Sequence, residues 1–551
     1  MTNIVIIGGV AGGASAAARL RRLDEQAQII MLERGPYISF ANCGLPYHIG
    51  GVIEPREELL LFTPEDMQAR FNIDVRVFSE AVSIDRSRQT ITVRRTDTGE
   101  TYQLPYDKVV IATGSSPLRP PIPGIDSPRI RQMWTVPDAD AVKKLLQDGS
   151  ITRTAVIGGG FIGLEMAENL RHLGLQVSLI EAMDQVMAPL DREMALLLEK
   201  ELKAKGVELT LNDAVDSFQD TGDRVTIRLK SGKQLSAQLV ILAIGVRPNG
   251  QIAKEAGLDT NPRGGIVVNS RMQTSDPNIY AVGDVVQVKD LVSGDDTMIP
   301  LAGPANKQGR IAADNIAGLD SQYRGSLGTS VARVFELTAA TTGANEKALQ
   351  RRGLTLHKDY HRVYVSQNDH AGYYPGATRM MLKLLFSADG QQIYGAQIVG
   401  QQGVDKRIDT LATAIRLGAS VQALEELELA YAPPYSSAKD PVNMAGFMAG
   451  NLLAGHTAFA PWDALEKEPN LQVLDVQETY EAEEFAIPGA INIPLGELRQ
   501  RYQELDRNKP TVVFCAVGVR AHTAEGMLRS LGFTDVRLYP GGAWFYDYTH
   551  S

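Results

Sequence analysis

Thr154-Ala155-Val156-Ile157-Gly158-Gly159-Gly160-Phe161-Ile162-Gly163 is the stretch on which the fold turns. A short apolar strand runs into glycines spaced G-x-G-x-x-G, a helix is expected over Leu164–Leu173, a second strand over Val177–Ile180, and Glu181 follows directly. Glycines at this spacing permit a sharp strand-to-helix turn and let backbone N–H groups at a helix N-terminus approach a pyrophosphate. Gly158, Gly160 and Gly163 therefore read as the phosphate side of a dinucleotide site, and Glu181 as the acceptor for the adenosine ribose hydroxyls. A carboxylate there repels a 2′-phosphate, and Ala182-Met183 offer no arginine to receive one, so NADH is expected rather than NADPH.

The same layout opens the chain: strand Ile4–Ile7, turn Gly8-Gly9-Val10-Ala11-Gly12-Gly13, helix Ala14–Leu23, strand Ile29–Leu32, then Glu33-Arg34. Val10 stands where the pattern has its middle glycine. Gly8, Ala11, Gly12, Glu33 and Arg34 are the candidate nucleotide contacts of this module. Two such modules in one chain suggest two nucleotides that exchange electrons, on an α/β fold with two Rossmann-like domains.

At 551 residues the chain is too long for one core, and about three or four domains are expected. Hydrophobic residues at 44% and charged ones at 22% are ordinary globular proportions, and no apolar run reaches the roughly 18 residues of a membrane span. The first residues lack a basic region and cleavage site, so a cytoplasmic location without membrane attachment is expected. A net charge of -10 argues against a general nucleic-acid binder. Only Cys43 and Cys515 occur, too few for a disulfide framework or a cysteine zinc site, and no metal is expected.

Cys43 lies in Ser39-Phe40-Ala41-Asn42-Cys43-Gly44-Leu45-Pro46-Tyr47, read as a helix start whose dipole favours the thiolate. No second cysteine is close in sequence, so its oxidising partner must come from elsewhere: a mixed disulfide or persulfide with a small molecule, or a sulfenic acid.

Ile279-Tyr280-Ala281-Val282-Gly283-Asp284 resembles the strand end of the flavoprotein disulfide reductases with two dinucleotide-binding domains. The resemblance implies that Gly283 and Asp284 meet the flavin ribityl or pyrophosphate region, which marks the first module as the FAD site. Val110-Ile111-Ala112-Thr113-Gly114 and Leu242-Ala243-Ile244-Gly245 resemble the crossings between the two domains, adding Thr113 and Gly114 to the FAD contacts and Gly245 to the NADH contacts. The Cys43 motif resembles that of the coenzyme A disulfide reductase branch, which includes coenzyme A persulfide and polysulfide reductases and in which the single cysteine rests as a mixed disulfide with coenzyme A. That implies Ser39 and Asn42 beside bound coenzyme A, Arg19 and Arg22 at its phosphates, and Asn306 and Arg310 supplied by the partner of a homodimer. Tyr373, in Ala371-Gly372-Tyr373-Tyr374-Pro375-Gly376, and Tyr431, in Leu429-Ala430-Tyr431-Ala432-Pro433-Pro434-Tyr435, match paired tyrosines that reach the active cysteine of the other subunit and serve as acid.

Beyond residue 450 the texture changes, and the tail resembles a rhodanese domain. Strands are expected at Leu471–Val476, Ile487–Leu495 and Thr511–Phe514, the last running into Cys515-Ala516-Val517-Gly518-Val519-Arg520 and a helix. Backbone N–H groups wrapped around one sulfur, with Arg520 beside it, stabilise a thiolate or persulfide. The stretch before Pro488 is shortened relative to that family.

The expected organisation is a FAD domain in 1–115 and 246–325, a crossover segment in 116–150, an NADH domain in 151–245, an α+β dimerisation domain in 326–450, a linker in 451–462 and an α/β rhodanese domain in 463–551. The leading expectation is an NADH- and FAD-dependent reductase of coenzyme A persulfide or polysulfide. Its rivals are a coenzyme A disulfide reductase, an NADH oxidase or peroxidase, and a sulfur carrier or redox sensor that does not turn over. The related NADH peroxidases and oxidases tend to carry a histidine in the first glycine turn, where this chain has Val10.

Overall fold

The computed structural model describes residues 2–550. The chain divides into two compact units, one made of the residues up to Asp184 and Gly206–Gly328, the other of Gln185–Lys205 and everything from Thr329.

Two parallel five-stranded sheets organise the first unit. One has the order Ile279–Ala281, Lys108–Ile111, Asn3–Ile7, Gln28–Leu32, Asp74–Arg76. The other has the order Val207–Thr210, Gln176–Ile180, Arg153–Ile157, Leu239–Leu242, Ile130–Gln132. Val5, Ile6, Val109, Val110, Val156, Val240 and Ile241 are wholly buried, as expected for strands covered on both faces. Ser115–Pro117 and Val246–Pro248 pair antiparallel, forming the crossing between the two modules.

The glycine-turn helices start earlier than the sequence spacing suggests, at Ala11 and Phe161, because the last residues of each turn already form the first helical turn. Gly13 and Gly163 each face the carbonyl of the turn's first glycine, and a Cβ on either would come within 1.9 Å of that oxygen. Helix Ala11–Leu23 also crosses helix Ala302–Ile316 closely, and a side chain at Gly309 would strike the Gly12 carbonyl.

The second unit holds an antiparallel five-stranded sheet in the order Ser330–Val334, Leu337–Gly343, Ile393–Gly400, Arg379–Ser387, Tyr360–Asn368. A parallel four-stranded sheet follows, in the order Ile491–Asn492, Gln472–Asp475, Thr511–Phe514, Val536–Leu538. The strand expected over Ile487–Leu495 shrinks to two residues, since Pro488 and Pro494 lack an N–H for the ladder and Gly489 takes a left-handed φ of 79°.

Helix Arg192–Ala204 belongs to the second unit, although its sequence falls inside the expected NADH domain 151–245. The cause is an ionic cluster: the wholly buried ammonium of Lys383 lies 2.8 Å from Asp191, 2.5 Å from Glu193 and 2.5 Å from Glu346. Of the expected linker 451–462, the first residues complete the helix Pro441–Leu453. Further along, Thr457 and Ala458 donate to Glu525, and Ala460 donates to the Leu538 carbonyl. The connection is thereby fastened to the C-terminal sheet. Among the described residues no helix is long and apolar enough to cross a membrane.

Candidate active site

Each glycine turn ends in a cradle shaped for a dinucleotide. Gly8 and Gly158 have φ of 106° and 108°, and a Cβ on either would meet the facing carbonyl of Ala112 or Ala243 at 2.3 Å. Beyond Gly160 and Gly114 there is open space, as close approach of a pyrophosphate requires. Glu33 accepts from the Gly9 and Gly35 N–H groups at 3.0 and 2.9 Å, and Glu181 from those of Gly159 and Met183 at 2.7 and 2.8 Å. Both carboxylates are thus fixed at the ends of their second strands. Ala11 begins the first helix, exposed Arg34 reaches Ser116, Thr113 donates to the Asn249 carbonyl, and Gly245 has a φ of 105°.

Gly283, with a φ of 84°, receives the Gln308 side chain on its N–H, which fixes the turn ahead of Asp284. Ser115 donates to Asp284 at 2.8 Å, while burial pushes the Asp284 carboxyl above its ordinary range.

Cys43 sits in the 3-10 turn Asn42–Gly44, followed by the five-residue helix Leu45–Ile49. The Asn42 carboxamide accepts from the Cys43 N–H at 3.1 Å, and the left-handed Ser39 donates its N–H to Gly9. Helix Leu45–Ile49 ends at Gly50, whose position leaves no room for a Cβ beside Asn169 of the second glycine-turn helix. This contact brings the cysteine segment to the second glycine-turn module.

The sequence expectation of a thiolate-favouring dipole is corrected here. The Cys43 thiol is pushed up, first by desolvation even though the residue as a whole is exposed, then by the carboxylates of Glu165 and Asp284. A five-residue helix carries too little dipole to oppose two nearby acids. Glu165, missed in the sequence, lies two positions past Gly163 with its carboxyl raised by burial to about 7, and Tyr47 donates to it at 3.5 Å. Nothing in the local sequence marks it, because its partners come from the Cys43 segment.

Arg19 is ion-paired with Asp314 at 2.7 Å, and Arg22 is exposed with its guanidinium 5.4 Å from the Phe71 ring centre. Asn306 accepts from Ser15 at 2.6 Å, and Arg310 is exposed on the same helix.

In the second unit the structure brings together the two predicted tyrosines, with their hydroxyl oxygens 2.9 Å apart. Buried Arg407 ties their loops, donating to the Asp369 carbonyl, to Ser436 and to Asp440. Tyr373 remains 76% exposed and Tyr431 47%, so the hydrogen-bonded pair is accessible to another molecule.

Cys515 is 1% exposed, and the Gly518 N–H donates to its sulfur at 3.1 Å from a left-handed residue with φ of 115°. Arg520 forms a two-pronged ion pair with Glu481, at 2.5 and 2.8 Å, beside the same thiol.

Two parallel nucleotide sheets joined by an antiparallel crossing, with one cysteine between their turns, define an oxidoreductase of the two-nucleotide class. The chain belongs to the pyridine nucleotide-disulphide oxidoreductase family, which residues 2–309 match; residues 329–441 match its dimerisation domain and residues 462–544 a rhodanese-like domain. It is 35% identical over 450 residues to the coenzyme A disulfide reductase of Staphylococcus aureus strain JH9, a match covering 82% of this chain and 100% of the relative. Reduced Bacillus anthracis CoADR-RHD is 49% identical with a TM-score of 0.95, covering 100% of this chain and 98% of that one. An NAD-dependent persulfide reductase from A. fulgidus is 39% identical with a TM-score of 0.94, covering 99% and 100%.

Proposed function

We propose that this protein reduces coenzyme A persulfide or polysulfide with electrons from NADH, through FAD and Cys43, and that its rhodanese-like domain handles sulfane sulfur at Cys515. The observation that carries the reading is the coexistence of one unpaired cysteine beside a flavin-type cradle with a second, enclosed cysteine in a sulfur-cradling loop. The similarity to an NAD-dependent persulfide reductase along nearly its full length supports it.

Gly8, Ala11, Gly12, Glu33, Arg34, Thr113, Gly114, Gly283 and Asp284 would hold FAD, which supplies two-electron transfer from NADH to sulfur. Gly158, Gly160, Gly163, Glu181 and Gly245 would hold NADH. Ser39, Asn42, Arg19, Arg22, Asn306 and Arg310 would meet coenzyme A, whose phosphates need cations. Because Arg19 already faces Asp314, the exposed Arg22 and Arg310 have the freer charges.

The Cys43 thiolate attacks the inner sulfur of the persulfide, forms a mixed disulfide with coenzyme A and expels hydrosulfide. Two electrons then cleave that disulfide, returning the Cys43 thiolate and free coenzyme A. Tyr373 and Tyr431 supply the proton to the departing sulfur, acting from the partner of a homodimer across their exposed face. Arg520, oriented by Glu481, would place its positive charge beside the Cys515 sulfur and its persulfide.

The test is anaerobic steady-state NADH oxidation with coenzyme A persulfide, run beside Cys43→Ser and an aerobic control without acceptor. Turnover confined to the unmutated enzyme with persulfide supports the proposal. Fast oxidation in the aerobic control with little response to persulfide overturns it in favour of an oxidase. A second reading, coenzyme A disulfide reduction, is favoured by the Staphylococcus aureus relative and predicts a higher kcat/KM for that disulfide than for the persulfide.

A further inference from the structure

The active loop of the rhodanese-like domain is enclosed by the last helix of the chain and, beyond it, by the antiparallel sheet. Ala543 donates its N–H to the Cys515 carbonyl at 2.9 Å and Trp544 donates to the Ala516 carbonyl at 3.1 Å. Gly542 lies so close to the Cys515 carbonyl that a Cβ would reach it at 2.2 Å. The preceding Gly541 is packed against Met381, where a Cβ would come 2.3 Å from the methionine methyl. Met381 belongs to strand Arg379–Ser387, so this strand of the antiparallel sheet forms part of the wall around the sulfur loop.

At the start of that strand the guanidinium of Arg379 lies 5.9 Å from the Trp544 ring centre. Partial burial weakens its hold on its own proton, and the Cys515 sulfur acts on it in the opposite sense. Among the described residues its guanidinium makes no hydrogen bond and no ion pair. The other cation at the loop, Arg520, spends both prongs on Glu481. A half-buried arginine without a carboxylate, set against the helix that closes the loop of an enclosed thiol, is able to receive an outside anion.

We propose that Arg379, from outside the rhodanese-like domain, is the anion-binding residue of the Cys515 site and selects small sulfur donors whose negative charge lies within one or two atoms of the transferred sulfur. Thiosulfate and inorganic polysulfide share this chemistry. With thiosulfate, the Cys515 thiolate attacks the sulfane sulfur, the new bond is Cys515–S–S⁻, and the old sulfur–sulfur bond breaks with its electron pair leaving on sulfite. Arg379 would face the sulfonate oxygens in that step. The enclosure of Cys515 favours such compact donors over a bulky one whose charges are remote phosphates.

This proposal rests on the reading of Cys515 as a sulfur-carrying thiol, and the experiment separates the two. In full-length protein carrying Cys43→Ser, so that only Cys515 can react, persulfide formation is followed by intact mass as a gain of one sulfur, against thiosulfate and polysulfide concentration in separate series. Arg379→Gln is expected to raise the half-saturating concentration of thiosulfate about 10- to 100-fold, with the saturated rate changed far less, and Arg379→Lys to recover part of the loss. A matching shift with polysulfide would extend the site to that donor; a shift confined to thiosulfate would assign it to the oxyanion. Unchanged half-saturation in Arg379→Gln, with Cys515 still loading, overturns the role of Arg379 alone. Failure of Cys515 to load from either donor before any change at Arg379 overturns the sulfur-carrying reading together with it. Loss of the saturated rate, equal in the Gln and Lys variants, would show a wall residue and not an anion site.

Discussion

Tyr373 and Tyr431 share a hydrogen bond between their hydroxyls, 2.9 Å long, at an exposed point of the second unit. The bond to Tyr431 pushes the Tyr373 hydroxyl above its ordinary range. Tyr373 therefore stays protonated throughout the working pH range, as the proposed role of proton donor requires. Replacing both by phenylalanine is expected to lower kcat with the sulfur acceptor about 10- to 100-fold. Flavin reduction by NADH, followed in stopped flow, should be unchanged, since no sulfur leaves in that half-reaction.

Glu165 should impose a pH dependence on Cys43. Its carboxyl ionises at about 7, and its negative form raises the Cys43 thiol. As pH rises through 7 the growing charge holds back thiolate formation. Glu165→Gln removes that repulsion, so alkylation of Cys43 by iodoacetamide at pH 8 should speed up several-fold, with little difference below pH 6. The same group affects stability. The folded chain keeps the proton up to about 7, whereas an unfolded carboxyl releases it near 4.5, so this contribution is full below 4.5 and is lost as pH rises to about 7.

Glu181 is held by two backbone N–H donors, which fix its carboxylate where a ribose would lie. Glu181→Gln should raise the KM for NADH and narrow the preference for NADH over NADPH by about 10-fold or more, measured as the ratio of kcat/KM values.

The parts readable in advance are those whose chemistry is local. Gly158 to Gly163 needed only its own strand and helix, and Cys515 to Arg520 only its own loop. Even the tyrosine pair was legible, because each residue sits in a short aromatic and proline-rich loop. Glu165 was not, since its raised carboxyl arises from the approach of the Cys43 segment to another module. The placement of helix Arg192–Ala204 was hidden for the same reason: Asp191 and Glu193 are ordinary surface-type acids until Lys383, far along the chain, pairs with them. Arg379 likewise has no local motif, and its neighbours Trp544 and Cys515 lie in a different domain.

Lys383 is the residue whose loss should be felt most in stability. Its ammonium is wholly buried among Asp191, Glu193 and Glu346, with Arg362 as the second cation and with Tyr364 and Tyr360 donating to the glutamates. The carboxylates are not spare ligands, because their oxygens converge on the lysine nitrogen. Lys383→Met keeps the length of the side chain but leaves three buried acids to one arginine, so a loss of about 3–5 kcal/mol is expected in chemical denaturation. The pH profile should change as well. Lys383 and Arg362 outweigh the cost of burial and hold Glu346 down at about 2. Its stabilising contribution is therefore present above about 4.5 and fades as pH falls toward 2. Without Lys383 the Glu346 carboxyl takes up its proton at higher pH. Acid unfolding of Lys383→Met should then begin at a higher pH than in the unmutated protein, and an unchanged acid midpoint would mean that Arg362 alone holds Glu346 ionised.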